Sequence, residues 1–225
     1  NPGRRIEFNN NNYNYITNVF KDKLEYQSGQ NQRWGTTINY KQESGAYSLQ
    51  GIDPDMQHIE KQSMMAGRYI NTEDIRQTNK VAVISKKIQN ELLKGVEEPL
   101  NEYIQIGGLN FSVVGIFSDA AGEREEKKVY IPISTLQKVF NGSDKLGNLS
   151  FTLKPGKDLE SSVAESIKFT DDLKAYLKAA HSVAPEDTRG IGVFSAIEEM
   201  ERFYKLTNGM ALFFWFVGIC TIIAG

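Results

Sequence analysis

Cysteine and histidine are nearly absent from this chain of 225 residues, which holds one cysteine and two histidines. Cys220 has no partner for an intrachain disulfide, although many extracytoplasmic bacterial proteins also lack cysteine pairs. His58 and His181 lie far apart in sequence, and no ligand spacing typical of zinc surrounds either of them. We therefore expect no metal and no other cofactor.

The usual catalytic motifs are missing as well. The sequence contains neither a G-x-S-x-G nucleophile turn nor a G-x-x-x-x-G-K-[ST] phosphate loop. Gly107 and Gly108 are isolated from any further glycine pattern, and the paired carboxylates fall in predicted loops and helix starts, which favours a solvated surface. The chain is therefore not expected to be an enzyme.

Charge of one sign is also not in excess. The 26 Lys and Arg residues nearly balance the 28 Asp and Glu residues, for a formal net charge of −2. Proteins that bind nucleic acid need a concentrated basic surface to neutralise phosphates. We therefore expect no nucleic-acid partner.

A long uncharged run closes a chain whose mean hydropathy over all residues is low, at −0.42. Residues 206–225 carry no charge and are apolar on every side. About 20 such residues are enough to cross a bilayer core of about 30 Å, so we predict a transmembrane helix that contacts membrane lipid. A buried C-terminal helix in a soluble core remains the alternative. The residues predicted to span the membrane are Met210, Leu212, Phe213, Phe214, Trp215, Phe216, Val217, Ile219, Ile222 and Ile223.

An amphipathic helix is predicted to lead into this run. Ser195 and Glu198 have the spacing of a capping box, and apolar residues follow at helical spacing up to Leu206. A stiff stalk between a folded domain and the membrane has this pattern. Two helices with a bend at 208–209 are an alternative that the pattern does not exclude.

The rest of the chain alternates between helical and strand-like patterns, which predicts a mixed α+β ectodomain with a strand-rich middle, about 51–140. We expect helices over 13–26, 54–65 and 159–181, strands over 80–84, 127–133, 148–153 and 189–194, and hairpin turns at 43–45 and 107–108. Asn9 and its neighbours are candidate caps for the first helix, and Ser85 is a candidate cap for a helix after the strand 80–84.

Five segments together resemble the extracytoplasmic domain of MacB-type ABC transporter permeases, the MacB-like periplasmic core of the FtsX-like superfamily. They are LQGIDPDM, MMAGRYINTEDI, NKVAVISKKIQNELL, YIQIGGLNFSVVGIF and KVYIPISTLQ, and they occur in the family's order. The segment LLKGVEEPLN departs from the family pattern, and residues 1–48 match only in general pattern.

The resemblance implies a layout of two subdomains and a membrane helix. A porter-like α/β subdomain comes from 1–50 and 141–205, a strand-rich subdomain is inserted over 51–140, and the transmembrane helix occupies 206–225. The fragment is expected to begin after a first membrane helix and to end within a second. Gly67 is expected to form a turn and Arg68 a structural ion pair.

The resemblance also implies a function in transport. In such permeases this domain lies on the periplasmic side of the inner membrane and couples ATP hydrolysis by a partner domain to export or mechanotransmission across the envelope. The implied partners are an ABC ATPase, a second permease copy, a periplasmic adaptor and an outer-membrane channel. Two alternatives remain: a membrane-anchored binding or sensor domain without transport, and an anchored hydrolase.

Overall fold

The computed structural model describes residues 6–118, 127–141, 143–184, 186–187, 190–203 and 206–207. The chain divides into two compact units, Asn1–Leu153 and Lys154–Gly225. The strands are β1 (Phe8–Asn9), β2 (Leu24–Tyr40), β3 (Glu43–Ile52), β4 (Ser63–Gly67), β5 (Val81–Ser85), β6 (Tyr103–Ile106), β7 (Leu109–Ser118), β8 (Lys128–Pro132), β9 (Lys145–Leu146) and β10 (Asn148–Leu153). The helices are α1 (Asn10–Val19), α2 (Met56–Ile59), α3 (Thr72–Gln77), α4 (Lys86–Leu92), α5 (Ile133–Leu136) with a π-helical turn at Gln137–Asn141, and α6 (Leu159–Ala180). A further helix covers 196–203.

The first unit is built on a sheet that closes on itself. Strand β6 pairs with both β2 and β7, so six strands form a ring in the order β2, β3, β8, β5, β7, β6. The β3–β8 and β5–β7 pairs are parallel and the other pairs are antiparallel. Closure leaves no open edge within the ring. Two strands extend it, because β10 pairs with the first part of β2 and β4 pairs with the last part of β7.

The ring encloses the main hydrophobic core. Strand β6 shows why, because its side chains alternate between exposed and buried, with Ile104 and Ile106 fully buried. Ile106 lies opposite Ile38 of β2, and Ile104 lies opposite Phe111 of β7. Helices α4 and α5 contribute to the same core, whose other members include Leu49, Ile84, Ile88, Leu92, Val113, Val129, Ile131 and Leu136.

A second apolar cluster lies on the outer face of the ring. It combines Val83 and Tyr130 from the strands with Met56 of α2 and with Tyr69 and Ile70, which precede α3. Phe117 of β7 packs against Tyr130 with ring centroids 4.9 Å apart. The segment between β3 and β5 is therefore held against the outside of the barrel.

Several predicted elements are confirmed where local chemistry decides the backbone. Gly107 and Gly108 form the two-residue hairpin turn with φ values of 58° and 81°. The Ser85 hydroxyl accepts from the Ile88 backbone N–H at the start of α4, and Asn9 caps α1 with a capping box. Helix α6 ends at Ala180, with His181 as its C-cap.

Four predictions were wrong, and in the two that concern helices strand pairing overrides helical spacing. The helix predicted over 13–26 ends at Val19, since residues 24–30 pair with β10. The helix predicted over 54–65 is confined to α2, and β4 pairs with β7 from residue 63. The hairpin turn predicted at 43–45 lies at 41–42, where Lys41 adopts a φ of 51°. Residues 190–194 of the predicted strand 189–194 form no strand, and residue 189 lies outside the described residues.

The predicted membrane segment falls almost entirely outside the described residues, which include only 206–207 of it. Among the helices that the structure describes, none is both long and apolar enough to span a bilayer. Strand β3 runs through residue 50, and β10 pairs with β2, so strands from the predicted flanks and middle share one sheet. The subdomain boundaries at 50 and 140 remain a prediction.

Candidate functional site

The Gly67–Arg68 corner joins β4 to the outer cluster of the barrel. Gly67 has a φ of 70°, and a Cβ at this position would lie 2.2 Å from the Val114 carbonyl oxygen. The next backbone N–H, that of Arg68, donates to the same oxygen at 2.9 Å. Both the left-handed conformation and the close approach require glycine. Gly67 ends β4 in this left-handed conformation, and no turn is assigned at the expected position.

Arg68 makes the structural ion pair that was expected of it. Its Nη1 and Nη2 lie 2.6 and 3.1 Å from the two carboxylate oxygens of Asp74, a bidentate arrangement. Asp74, which is 1% exposed, also accepts from Asn79 Nδ2 at 3.0 Å and from the Asn71 backbone N–H at 3.1 Å. Burial opposes ionisation of Asp74, but these hydrogen bonds hold its pKa below the usual value. The pair fixes the start of α3 against the end of β4.

A second polar cluster fastens the segment before β4 to β8. The Tyr130 hydroxyl donates to Glu60 Oε2 at 2.8 Å and accepts from Gln62 Nε2 at 2.6 Å. The Tyr69 hydroxyl donates to Gln62 Oε1 at 2.8 Å, and Lys128 Nζ lies 3.6 Å from Glu60 Oε2. Burial raises the pKa of Tyr130, and the nearby Glu60 carboxylate raises it further. No local sequence pattern predicts this cluster, because its members are up to 70 residues apart.

Two aspartates accept hydrogen bonds from backbone N–H groups of β2 beyond the point where β3 ends. Asp53 Oδ2 accepts from the Gly29 backbone N–H at 2.9 Å, and Asp55 Oδ2 accepts from the Gln27 N–H at 3.1 Å. Tyr13 of α1 also acts on the Asp53 carboxylate. Burial raises the Asp53 pKa to about 6, an effect that Gly29 and Tyr13 partly offset and that Asp55 adds to. The D-x-D spacing directly after a strand is the signal that sequence analysis missed.

Helix 196–203 exposes apolar side chains. The Ser195 hydroxyl accepts from the Glu198 N–H at 3.4 Å, which is one of the two hydrogen bonds of the predicted capping box. Ser195 Oγ also lies 3.2 Å from Ser166 Oγ of α6. Met200, Phe203 and Leu206 are largely exposed. Within the described residues, this face of the helix is therefore not packed into a hydrophobic core.

Trp34 is the most exposed large side chain of the barrel strands, with 76% of its surface accessible. The β2–β3 register shifts between Arg33 and Thr36, and Gly35 in this bulge has a φ of 63°. Tyr103 on β6 is also exposed. These aromatic side chains are available for contact with another molecule.

The side chains predicted to span the membrane, from Met210 to Ile223, lie outside the described residues. In the part of the chain that the structure describes, no group of three or more His, Cys, Asp or Glu residues is arranged to hold a metal ion. What the described residues do bring together are polar clusters that join the barrel to its surrounding segments.

Residues 6–168 match the family described as the MacB-like periplasmic core domain. The chain belongs to this family. The match covers the whole barrel and reaches into α6, so it includes each of the polar clusters described above.

Curated relatives of this MacB-like domain are longer transport proteins. The chain is 26% identical over 178 residues to a macrolide export ATP-binding/permease protein MacB from Chlorobaculum tepidum, covering 77% of the chain and 26% of that protein. It is 23% identical over 186 residues to an uncharacterized ABC transporter permease, YknZ, from Bacillus subtilis, covering 81% of the chain and 46% of that protein. The chain thus spans between about a quarter and about half of the length of these relatives.

Solved structures show the same fold. The periplasmic region of MacB from Actinobacillus actinomycetemcomitans aligns with a TM-score of 0.65 at 22% identity, covering 80% of this chain and 78% of that one. The extracellular domain of YknZ from Gram-positive bacteria aligns with a TM-score of 0.59 at 21% identity, covering 76% and 86%. The mixed α+β fold expected from the sequence is confirmed.

Family membership also confirms the class of domain that was expected from the sequence. The MacB-like core is a periplasmic domain of ABC transporter permeases rather than a catalytic domain. The relatives' names combine ATP-binding and permease functions in MacB and name a permease in YknZ.

Proposed function

We propose that this chain is the extracytoplasmic part of an inner-membrane ABC permease subunit. It couples ATP hydrolysis by a partner nucleotide-binding domain to export or to mechanical work across the envelope. The observation that carries the proposal is the family match over 6–168, which spans the whole barrel. Relatives named ATP-binding/permease proteins support a fused or separate ATPase as the partner.

The barrel suits a part that passes on motion rather than one that performs chemistry. A closed ring of strands deforms less readily than an open sheet, because every strand in it is paired on both sides. The Arg68–Asp74 pair and the Tyr130 cluster add fully hydrogen-bonded links between the barrel and the segments around it. Such a body moves as a unit when one end is displaced.

The helix 196–203 is the element that we propose carries displacement to or from the membrane. In the sequence it is followed closely by the uncharged run at 206–225, which we propose as the transmembrane helix. Its exposed Met200 and Phe203 face no core in the described residues, so its helical stiffness is the property available for coupling.

The remaining proposed partners are a second permease copy, a periplasmic adaptor and an outer-membrane channel. The exposed aromatic side chains Trp34 and Tyr103 on the barrel strands suit contact with such a protein, since aromatic residues are enriched at the centres of interfaces.

Changing the stiffness of helix 196–203 tests the coupling role. Glu199 and Arg202 form an exposed ion pair at 2.9 Å on this helix. Replacing both with Gly should cost roughly 1 kcal/mol of helix propensity per position and create a flexible joint. In cells, transport by the full-length complex should fall while ATP hydrolysis continues.

The matched control is the double variant with Ala at both positions. It removes the same ion pair but keeps the helix, since Ala is the best helix former, and it should transport like the wild type. Equal transport by the Gly and Ala variants would mean that this helix does not couple the two ends.

A further inference from the structure

Residues 7–10 form a strap that enters the first unit and leads directly into α1. Strand β1 in this strap pairs with β9, and the Asn10 backbone N–H donates to the Asp144 carbonyl oxygen at 3.1 Å. Glu7 Oε2 lies 2.5 Å from Lys145 Nζ. The strap is therefore held to residues 144–146 by backbone pairing and an ion pair.

A pair of carboxamide side chains attaches the same strap to the end of α5. Gln137 Nε2 donates to Asn10 Oδ1 at 2.9 Å, and Asn10 Nδ2 donates to Gln137 Oε1 at 3.2 Å. Gln137 Nε2 also donates to the Lys145 carbonyl oxygen at 3.2 Å. One glutamine amide therefore holds both the strap and β9, the strand that pairs with it.

Gln137 lies next to the barrel core in the chain. Its side chain is buried, and the preceding residue, Leu136 of α5, is fully buried in the core that the ring encloses. Gln137 is also the first residue of the π-helical turn Gln137–Asn141. Turns of this type are rare and occur frequently at functional sites. A displacement of Gln137 therefore acts directly on a helix that is packed into the core.

The carboxamide pair outweighs the other attachments of the strap. Glu7 and Lys145 are both about half exposed, and exposed ion pairs contribute little to stability. Strands β1 and β9 have two residues each, and so short a pair of strands is marginal by itself. Gln137 is buried, so the loss of its partner leaves a polar group without a hydrogen bond, which is costly. The pair thus decides whether the strap stays attached.

We propose that Gln137 is a positioning residue for coupling: its amide pair with Asn10 passes displacement of the strap to α5 and so to the barrel core. This inference rests on the coupling role proposed above. Two opposed N–H···O bonds between planar amides fix both the separation and the relative orientation of the two side chains. Without the pair, the strap moves and the core does not follow.

Hydrogen exchange of the full-length complex, read by mass spectrometry, tests whether the pair holds the strap. Gln137→Met keeps the length of the side chain and removes its hydrogen bonds, and Asn10→Ala breaks the same pair from its partly exposed side. In either variant the amides of 8–10 and 144–146 should exchange about tenfold faster, the factor expected for the loss of one to two net hydrogen bonds. Unchanged exchange in both variants would overturn the proposal.

The barrel itself should remain folded in these variants, and the protection of the β6 amides measures this. If Gln137→Met does not fold, Asn10→Ala alone carries the test, because Asn10 lies at the start of a helix and is not fully buried. If both single variants fold, the double variant should exchange no faster than the faster of the two, since they remove the same interaction. Effects that multiply would show that the two residues act independently and would contradict the pair.

A second measurement asks whether the nucleotide state of the ATPase reaches the core through the pair. In the wild-type complex in lipid nanodiscs, ATP with vanadate should change the exchange of residues 133–137 relative to the nucleotide-free state. This change should disappear in Gln137→Met and in Asn10→Ala, while both variants still hydrolyse ATP. A purely structural role of the pair would leave the nucleotide-dependent change in place.

Gln30→Met is the matched control. Gln30 Nε2 donates to Ser150 Oγ at 2.9 Å, which is an amide hydrogen bond between β2 and β10 that does not involve the strap. This variant should behave like the wild type in both measurements, and an equal effect of Gln30→Met would overturn the specific role of Gln137.

The nucleotide experiment separates failure of this inference from failure of the proposed function. A nucleotide-dependent change at 133–137 that persists in Gln137→Met and Asn10→Ala would overturn the role of the pair and leave the proposed function standing. No nucleotide-dependent change anywhere in the wild-type barrel would contradict the proposed coupling itself, and the inference with it.

Discussion

Arg68 and Asp74 show at the scale of single residues how the corner after β4 is stabilised. The guanidinium is about half exposed, but the carboxylate it binds is buried and also holds the start of α3. Removing one partner of such a pair leaves a buried charge without its counterion, which costs more than the pair itself contributes.

Arg68→Ala should therefore lower the free energy of unfolding by about 2 kcal/mol. Urea denaturation at neutral pH measures the change. Arg76→Ala is the matched control, because Arg76 pairs with Glu73 on the same helix at 2.6 Å but both side chains are well exposed. The control should cost at most about 1 kcal/mol. An equal loss in both variants would show that burial of Asp74 does not matter.

Residues whose role is local were predictable, and residues whose role depends on distant partners were not. Gly67 and Arg68 stand in a recognisable Gly-Arg pattern, and their partners lie within a few residues or on the neighbouring strand β7. Tyr130 and Gln62 are 68 residues apart, and no periodicity links them. In the sequence Asp53 resembles any loop aspartate, because only the folded structure brings the end of β3 close to the first part of β2.

At the scale of elements, the short strand β6 has a large effect on the architecture. All four of its residues pair with β7, and Gln105 and Ile106 also pair with β2, which turns a sheet into a closed barrel. The inward side chains Ile104 and Ile106 are fully buried, whereas Tyr103 points outward and is exposed. The two faces of this one strand should respond very differently to substitution.

Ile104→Ala should cost about 3 kcal/mol of unfolding free energy, because it removes buried methyl groups and leaves a cavity between β2 and β7. Tyr103→Ala, the adjacent exposed position, should change it by less than about 0.5 kcal/mol. Thermal or urea unfolding of both variants gives the comparison. A cost of similar size at the two positions would argue against the closed ring.

The same contrast explains which elements the sequence predicts. The Gly107–Gly108 turn and the Ser85 cap depend on local chemistry, so both were predicted where they occur. The segment 54–65 has helical spacing, yet residues 63–67 become β4, because β7 offers unpaired backbone groups there. A short stretch of sequence does not reveal that it will pair with a strand about 50 residues away.

At the scale of the whole molecule, closure of the ring was beyond prediction, although nearly all of its strands were located. Alternation identifies a strand but not its neighbours, and the ring depends on β6 meeting β2 across more than 60 residues. The family, in contrast, was predictable, because five segments occur in the right order. The match over 6–168 and the two aligned structures confirm it.

The proposed function places this domain outside the cytoplasm, in a membrane-bound permease. Labelling of a single cysteine in the full-length protein tests this location. Ser44, exposed near the turn between β2 and β3, is the position to use, as Ser44→Cys in a background in which Cys220 and any cysteine elsewhere in the full-length protein are replaced by Ser. A membrane-impermeant maleimide should label this cysteine in intact spheroplasts as fully as after lysis. Labelling only after lysis would place the barrel in the cytoplasm and contradict the proposed extracytoplasmic location.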